Sequence, residues 1–230
     1  MLANEEKYTQ LYNTQDKILQ IIANENLGFY LTGGTALQRF YFDVYRYSDD
    51  LDLFLIENGL HKENAEDFHF FIQALQDYGF SFNITIDSSN FKRNFLDENN
   101  LKIDLINDCV FHENDFIKTK HGFFIDSIQN IFANKLETSI SRTEPRDLFD
   151  IYTILINTEM DIEKSFDLVK KKTNISPQNI KENLKNIDIN NVDMGKINFK
   201  NESVGKDFSL NFHKVILEKF NLTNTKKHRQ

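Results

Sequence analysis

Asp50 and Asp52 stand two positions apart, and a pair of glycines, Gly33-Gly34, lies shortly ahead of them. The run Asp49 to Ile56 alternates Leu51, Leu53 and Leu55 with Asp50, Asp52 and Phe54, the period of a β-strand. Both carboxylates then project from one face, whereas Asp49 would project with Leu51. Two like charges that close raise each other's pKa unless a cation sits between them. Mg²⁺ or Mn²⁺ suits the pair, because hard cations take carboxylates together with substrate phosphates. For the pair taken alone, a water-facing sheet edge is the competing reading. Two glycines between a strand and a helix expose backbone N–H groups that can cradle a phosphate. A third carboxylate, Asp104, falls among Ile103, Leu105 and Ile106, where a charge needs a partner. It could complete a two-metal site, or it could simply pair with Lys102, which shares its face.

Several elements must position these groups. Residues 5–24 read as an amphipathic helix with Leu11, Ile18, Ile21 and Ile22 on one face. Phe29 to Thr32 is a short strand ending at the glycines, and Thr35 to Phe42 is helical. Residues 61–78 have helical apolar spacing (Phe68, Phe71, Ile72, Leu75) and stop before Gly79. Strands are expected over Phe80 to Ile86, Phe91 to Leu96 and Leu101 to Ile106. The turn Asp97-Glu98-Asn99-Asn100 makes the last two a hairpin. Phe123-Phe124-Ile125 is a further apolar run. Beyond it the pattern is helical: Ser127 to about Ile140, Thr143-Glu144-Pro145 to about Ile156, a third helix from Ser176-Pro177, and a fourth over Phe208 to Phe220. The expected class is α+β, a mixed sheet with flanking helices over 1–125, followed by a helical half over 126–230.

Composition narrows the function classes. The chain has 230 residues and a net charge of −8. Residues 1–160 carry 13 basic and 26 acidic side chains, and residues 161–230 carry 14 and 9. An acidic body with a basic end suits an enzyme that binds metal in one place and phosphates in another. A merely solvated, lysine-rich tail is the plainer reading. No apolar run reaches the roughly 18 to 20 residues of a membrane span, and the N-terminus shows no signal-peptide pattern. A single cysteine, Cys109, reads as a small buried group and makes no internal disulfide. The six histidines show no ligand spacing. These features point to the cytoplasm. Lys170-Lys171-Lys172 and Lys226-Lys227-His228-Arg229 could touch an RNA backbone.

Gly33-Gly34-Thr35-Ala36-Leu37, then Arg46-Tyr47-Ser48-Asp49-Asp50-Leu51-Asp52-Leu53-Phe54, then Asp104, resembles the polymerase-beta-type nucleotidyltransferase superfamily. Within it the chain is similar to the AbiEii/AbiGii toxin family. Asn134-Lys135-Leu136 and Arg142 through Asp150 extend the resemblance, which covers about residues 29–155. The superfamily's usual Gly-Ser turn is replaced here by Gly33-Gly34.

The resemblance implies that Gly33 and Gly34 hold the triphosphate with help from Thr35, and that Ser48 lies beside the metal strand. Arg46 would orient the loop or contact phosphate, and Asp50 and Asp52 would be metal ligands. Asp104 would be ligand or base. Lys135 would meet the nucleotide phosphates, with Asp147, or its rival Asp150, fixing it in place. Salt bridges from Arg142 or Arg146 are the plain structural reading of those two aspartates. The implied activity is Mg²⁺-dependent transfer of NMP from an NTP to an acceptor hydroxyl, in a toxin that acts on tRNA and has a cognate antitoxin. A DxD glycosyltransferase and an inactive binding module that kept the fold are the alternatives. The short motifs leave open which NTP is used.

Overall fold

In the computed structural model the described residues are 2–222, apart from 43–44, 57–63, 109–110, 114 and 143. Cys109, Thr143, the start of the helix expected from residue 61 and the basic stretch 226–229 lie outside them. The chain divides into two compact units, Met1–Asp43 with Ser48–Ser127, and Val44–Tyr47 with Ile128–Gln230.

The first unit is built on a seven-stranded mixed sheet. Its strands are β1 (Phe29–Thr32), β2 (Leu51–Leu55), β3 (Phe82–Asp87), β4 (Phe91–Leu96), β5 (Lys102–Ile106), β6 (Ile117–Lys118) and β7 (Phe124–Ile125). Their order is β3-β4-β5-β2-β1-β7-β6. β2 runs antiparallel to β1 and parallel to β5, and β7 runs parallel to β1. The expected alternation holds in β2: Leu51, Leu53 and Leu55 are buried while Asp52 and Phe54 are half-buried. β1 and the middle of β5 are buried on both faces, as inner strands of a covered sheet must be. Asp50 lies just ahead of β2.

Helices α1 (Leu2–Asn24) and α3 (Asn64–Asp77) supply the cover. Leu11, Ile18, Ile21 and Ile22 of α1 are buried, as their helical spacing requires. Phe68 and Phe71 of α3 meet the Phe29 ring of β1 at centroid distances of 6.2 and 5.7 Å. Between β1 and β2 the chain makes a single turn of α-helix, α2 (Gly33–Ala36), that runs on as a π-helical turn over Leu37–Tyr41.

The second unit is helical: α4 (Ile128–Ser141), α5 (Pro145–Asn157), α6 (Ile162–Lys172), α7 (Pro177–Asn186) and α8 (Glu202–Lys219). The sequence reading passed over α6, whose mixed apolar and lysine content hides a clear start signal. The Asp161 carboxylate caps it by accepting from the Lys164 N–H at 2.9 Å. Ser176 caps α7 in the same way, with Pro177 in the first turn. α5 is almost wholly buried, and its Phe149 meets Phe199 and Phe208 edge-on. The short stretch around Arg46 joins this unit through a β-bridge to Phe199, flanked by hydrogen bonds from Tyr47 N–H to the Asn198 carbonyl and from Lys200 N–H to the Tyr45 carbonyl. Among the described residues no helix is long and apolar enough to cross a membrane.

Candidate active site

Strand register in the first unit sets one row of functional groups. Thr32 of β1 is the Cα partner of Asp52 in β2, and Asp52 is the partner of Asp104 in β5. Gly33 follows Thr32 with φ of +70°, and a Cβ added there would come within 2.8 Å of Asp52 Oδ2. Both facts demand glycine, one through the left-handed backbone and the other through space. The glycine turn and the Asp52 carboxylate are therefore in van der Waals contact.

The segment ahead of β2 is pinned to that turn. The Thr35 hydroxyl donates to the Asp50 carbonyl and shares a 2.9 Å hydrogen bond with the Ser48 hydroxyl. Gln15 Nε2 donates to the carbonyls of Ser48 and Asp49, and the Ser48 N–H donates to Tyr12 Oη at 3.1 Å. Thr35 and Ser48 are both buried. Thr35 thus ties the aspartate segment to the glycines and does not reach outward itself.

Two cations thread the carboxylates. Arg93 of β4 forms two 2.8 Å hydrogen bonds to Asp104, one to each oxygen. That planar, bidentate pairing is the strong form of the interaction. Lys102 Nζ lies 2.9 Å from Asp50 Oδ2 and 3.5 Å from Asp104 Oδ2. The hydrogen bond to Asp104 raises the Arg93 pKa against the effect of burial, and the charges of Asp104, Asp50 and Asp52 add to it. Burial pulls Lys102 down, yet its hydrogen bond to Asp50 and the charges of Asp50, Asp104 and Asp52 hold it above the ordinary lysine value. So Lys102 does partner Asp104, but more weakly than Arg93, which the sequence reading missed.

These residues fit a hard divalent cation. Asp50, Asp52 and Asp104 offer oxygen donors, and Asp50 and Asp104 already share one cation, the Lys102 ammonium.

The second unit holds its own charged cluster. Lys135 of α4 donates to Asp147 of α5 at 2.6 Å and lies 2.9 Å from Asp150. Arg46 donates twice to Asp150, at 2.8 and 2.7 Å, and is itself buried. Arg142 meets Asp147 at 3.1 Å, whereas Arg146 turns to Glu144. The rivals Asp147 and Asp150 thus share Lys135 between them, and Asp147 is also in the Arg142 salt bridge. Arg46 is not an exposed phosphate contact: it orients Asp150. Burial works to raise both aspartates, and the cations overcome it. Arg46 and Lys135 hold Asp150 at about 2, and Lys135 and Arg142 hold Asp147 below the ordinary value. Lys135 is lowered by burial but raised more by Asp150 and Asp147, so it stays charged.

Of the expected RNA contacts, Lys170 and Lys171 are exposed. Lys172 is not: it donates to Asn130 and Asn134 of α4 at 2.6 and 2.5 Å. The histidines, read as scattered, include one that the fold brings beside carboxylates, His112 with Asp115 and Asp126.

Comparison with known proteins identifies the family. The family model for the nucleotidyl transferase AbiEii toxin of type IV toxin–antitoxin systems matches residues 17–199. No curated protein sequence matches the chain. Among solved structures, MenT4, a nucleotidyltransferase toxin from Mycobacterium tuberculosis, superposes with a TM-score of 0.63 at 15% identity, over 95% of this chain and 85% of that one. JHP933 from Helicobacter pylori gives 0.61 at 17% identity, over 94% and 93%. Those likenesses establish the fold, and the family match establishes the family: the chain belongs to the AbiEii family of nucleotidyltransferase toxins, enzymes that draw on an NTP and answer to an antitoxin.

Proposed function

We propose that this enzyme transfers NMP from an NTP to a hydroxyl of tRNA, with Mg²⁺ held by Asp50, Asp52 and Asp104. The observation that carries the reading is the Thr32–Asp52–Asp104 row with Gly33 closed against Asp52. When bound, the metal neutralises the triphosphate and polarises the α-phosphate. The N–H groups of the Gly33-Gly34 turn orient the triphosphate beside Asp52. The acceptor oxygen bonds to the α-phosphorus, the α–β phosphoanhydride bond breaks, and pyrophosphate departs. Asp104 serves as ligand or takes the hydroxyl proton, since its Oδ1, bonded to Arg93 alone, keeps a second lone pair.

In the helical unit Lys135 and Asp147 are required for transfer. The Lys135–Asp147–Asp150 cluster supports it, because an ammonium fixed by two aspartates stays charged and oriented. The tRNA acceptor follows from the family resemblance and from the basic excess of residues 161–230.

The test incubates the protein with Mg²⁺, total bacterial tRNA and each α-labelled NTP in turn, with Asp52→Ala and Asp50→Ala alongside. Label should enter tRNA and fall by roughly 10³-fold in either variant, the scale of lost electrostatic stabilisation at a reacting phosphate. Near-normal turnover in both variants overturns the metal assignment, and label in protein instead of tRNA overturns the acceptor.

A further inference from the structure

His112, Asp115 and Asp126, none of them a member of the Asp50, Asp52 and Asp104 set, come together in the first unit. One imidazole nitrogen and one oxygen from each carboxylate all lie within 4.8 Å of one another. His112 Nε2 and Asp126 Oδ1 are 2.9 Å apart, with side-chain exposures of 4% and 0%. A transition metal sits about 2.0–2.2 Å from nitrogen and oxygen ligands. Ligand atoms at tetrahedral angles about it are then roughly 3.4 Å apart, so this pair needs to part by only about half an ångström to admit an ion. Asp115, the third member, is exposed.

The surroundings resemble a ligand shell. The other oxygen of Asp126 accepts from the Thr32 hydroxyl at 2.6 Å, which fixes the carboxylate's orientation as outer-shell bonds do around metals. The backbone holds it too: the Asp126 N–H donates to the Leu31 carbonyl, and the Tyr41 hydroxyl donates to the Asp126 carbonyl. The His112 ring stacks on Phe116 at 4.5 Å and lies 5.2 Å from Tyr30, which gives the imidazole an apolar wall.

We propose that His112, Asp115 and Asp126 bind a transition-metal ion of the Zn²⁺ or Co²⁺ class. An imidazole ligand selects that class over Mg²⁺, which prefers oxygen donors and retained waters. Thr32 links this ion to the glycine turn, since it contacts Asp126 with its side chain and precedes Gly33 in the chain.

The experiment uses the full chain carrying Asp52→Asn, so that the other carboxylate set is weakened, stripped with chelator and titrated with ZnCl₂ by calorimetry. Co²⁺ is added in parallel, and its visible absorption reports nitrogen ligation. The expected result is one equivalent bound, weakened roughly 100-fold by His112→Gln and roughly 10-fold by Thr32→Val or by Asp115→Asn, the scale of ligand and outer-shell losses. Circular dichroism checks folding. Should the buried His112→Gln variant fail to fold, the exposed Asp115→Asn variant decides. No stoichiometric uptake, or uptake that ignores Asp115→Asn, leaves only a hydrogen-bonded histidine–aspartate pair and overturns the proposal. Uptake seen in the unsubstituted protein but abolished by Asp52→Asn alone overturns it equally.

Discussion

Gly33→Ala separates the two reasons for that glycine. The added methyl would sit 2.8 Å from Asp52 Oδ2, where ordinary contact begins near 3.4 Å, so the carboxylate must retreat by about 0.6 Å. Misplacement on the ångström scale costs up to roughly 10²-fold in rate at a reacting centre. A loss of about 10-fold or more in nucleotide incorporation is therefore expected. The substitution also forces alanine to φ of +70°, at about 1–2 kcal/mol. That lowers the Tm by roughly 2–8 °C in a chain of this size. Gly79→Ala is the matched control: its φ is +80°, and its added Cβ meets nothing within 4 Å. It should show a similar loss of Tm with turnover unchanged. Initial rates of α-label incorporation and thermal scans on both variants decide the matter. If Gly33→Ala turns over as fast as Gly79→Ala at equal stability, Asp52 is not at the reacting centre.

Four further outcomes follow from the charged side chains. Asp150 is held at about 2, against burial, by Arg46 and Lys135, so its stabilising contribution is present above the ordinary aspartate value and is lost as pH falls toward 2. Arg46→Met should cost about 3–5 kcal/mol at neutral pH and move acid unfolding, followed by circular dichroism, to higher pH; an unmoved midpoint refutes the pairing. Arg93→Met removes both hydrogen bonds to Asp104 and should lower the Mg²⁺ concentration that half-activates transfer; no change argues against Asp104 as a ligand. Lys172→Met breaks two bonds to α4 and should destabilise by about 1–3 kcal/mol without weakening the proposed binding to tRNA. Lys170→Ala with Lys171→Ala should do the reverse, reducing the salt slope of binding by about 1 per lysine removed.

The strands around the carboxylates were legible from short apolar runs bounded by turn residues, and the first five of them fall within two residues of the expected bounds. Arg93 was missed although the means of finding it were present. A hairpin turning at 97–100 places residue 93 opposite residue 104, and the structure pairs them so. What misled the reading was proximity in sequence: Lys102 shares a strand face with Asp104 and was the obvious cation. α6 escaped because its buried Phe166, Leu168 and Val169 are interleaved with lysines that look like a solvated tail. The strand β6, two residues long, has no periodicity to read. The convergence of His112 with Asp126 depends on β7 pairing with β1, a long-range contact that no local pattern encodes.

Register carries the arrangement further than any single ion pair. Asp104 faces its partners only while Ile103 and Leu105 face the other way, and both are wholly buried. A slip of one residue between β2 and β5 would turn Asp104 into the apolar layer and put Leu105 opposite Asp52. The leucines of β2 resist the same slip, since Leu51, Leu53 and Leu55 would have to exchange places with Asp52 and Phe54. Burying those side chains is favourable by about 1.5–3 kcal/mol each, whereas the Arg93–Asp104 pair must first offset the desolvation of Asp104. The core leucines and isoleucine therefore fix the carboxylate row, and Arg93 and Lys102 neutralise a row that is already in place. Replacing Leu105 should accordingly disturb the spacing of Asp52 and Asp104 more than replacing Lys102, even though only Lys102 touches a carboxylate.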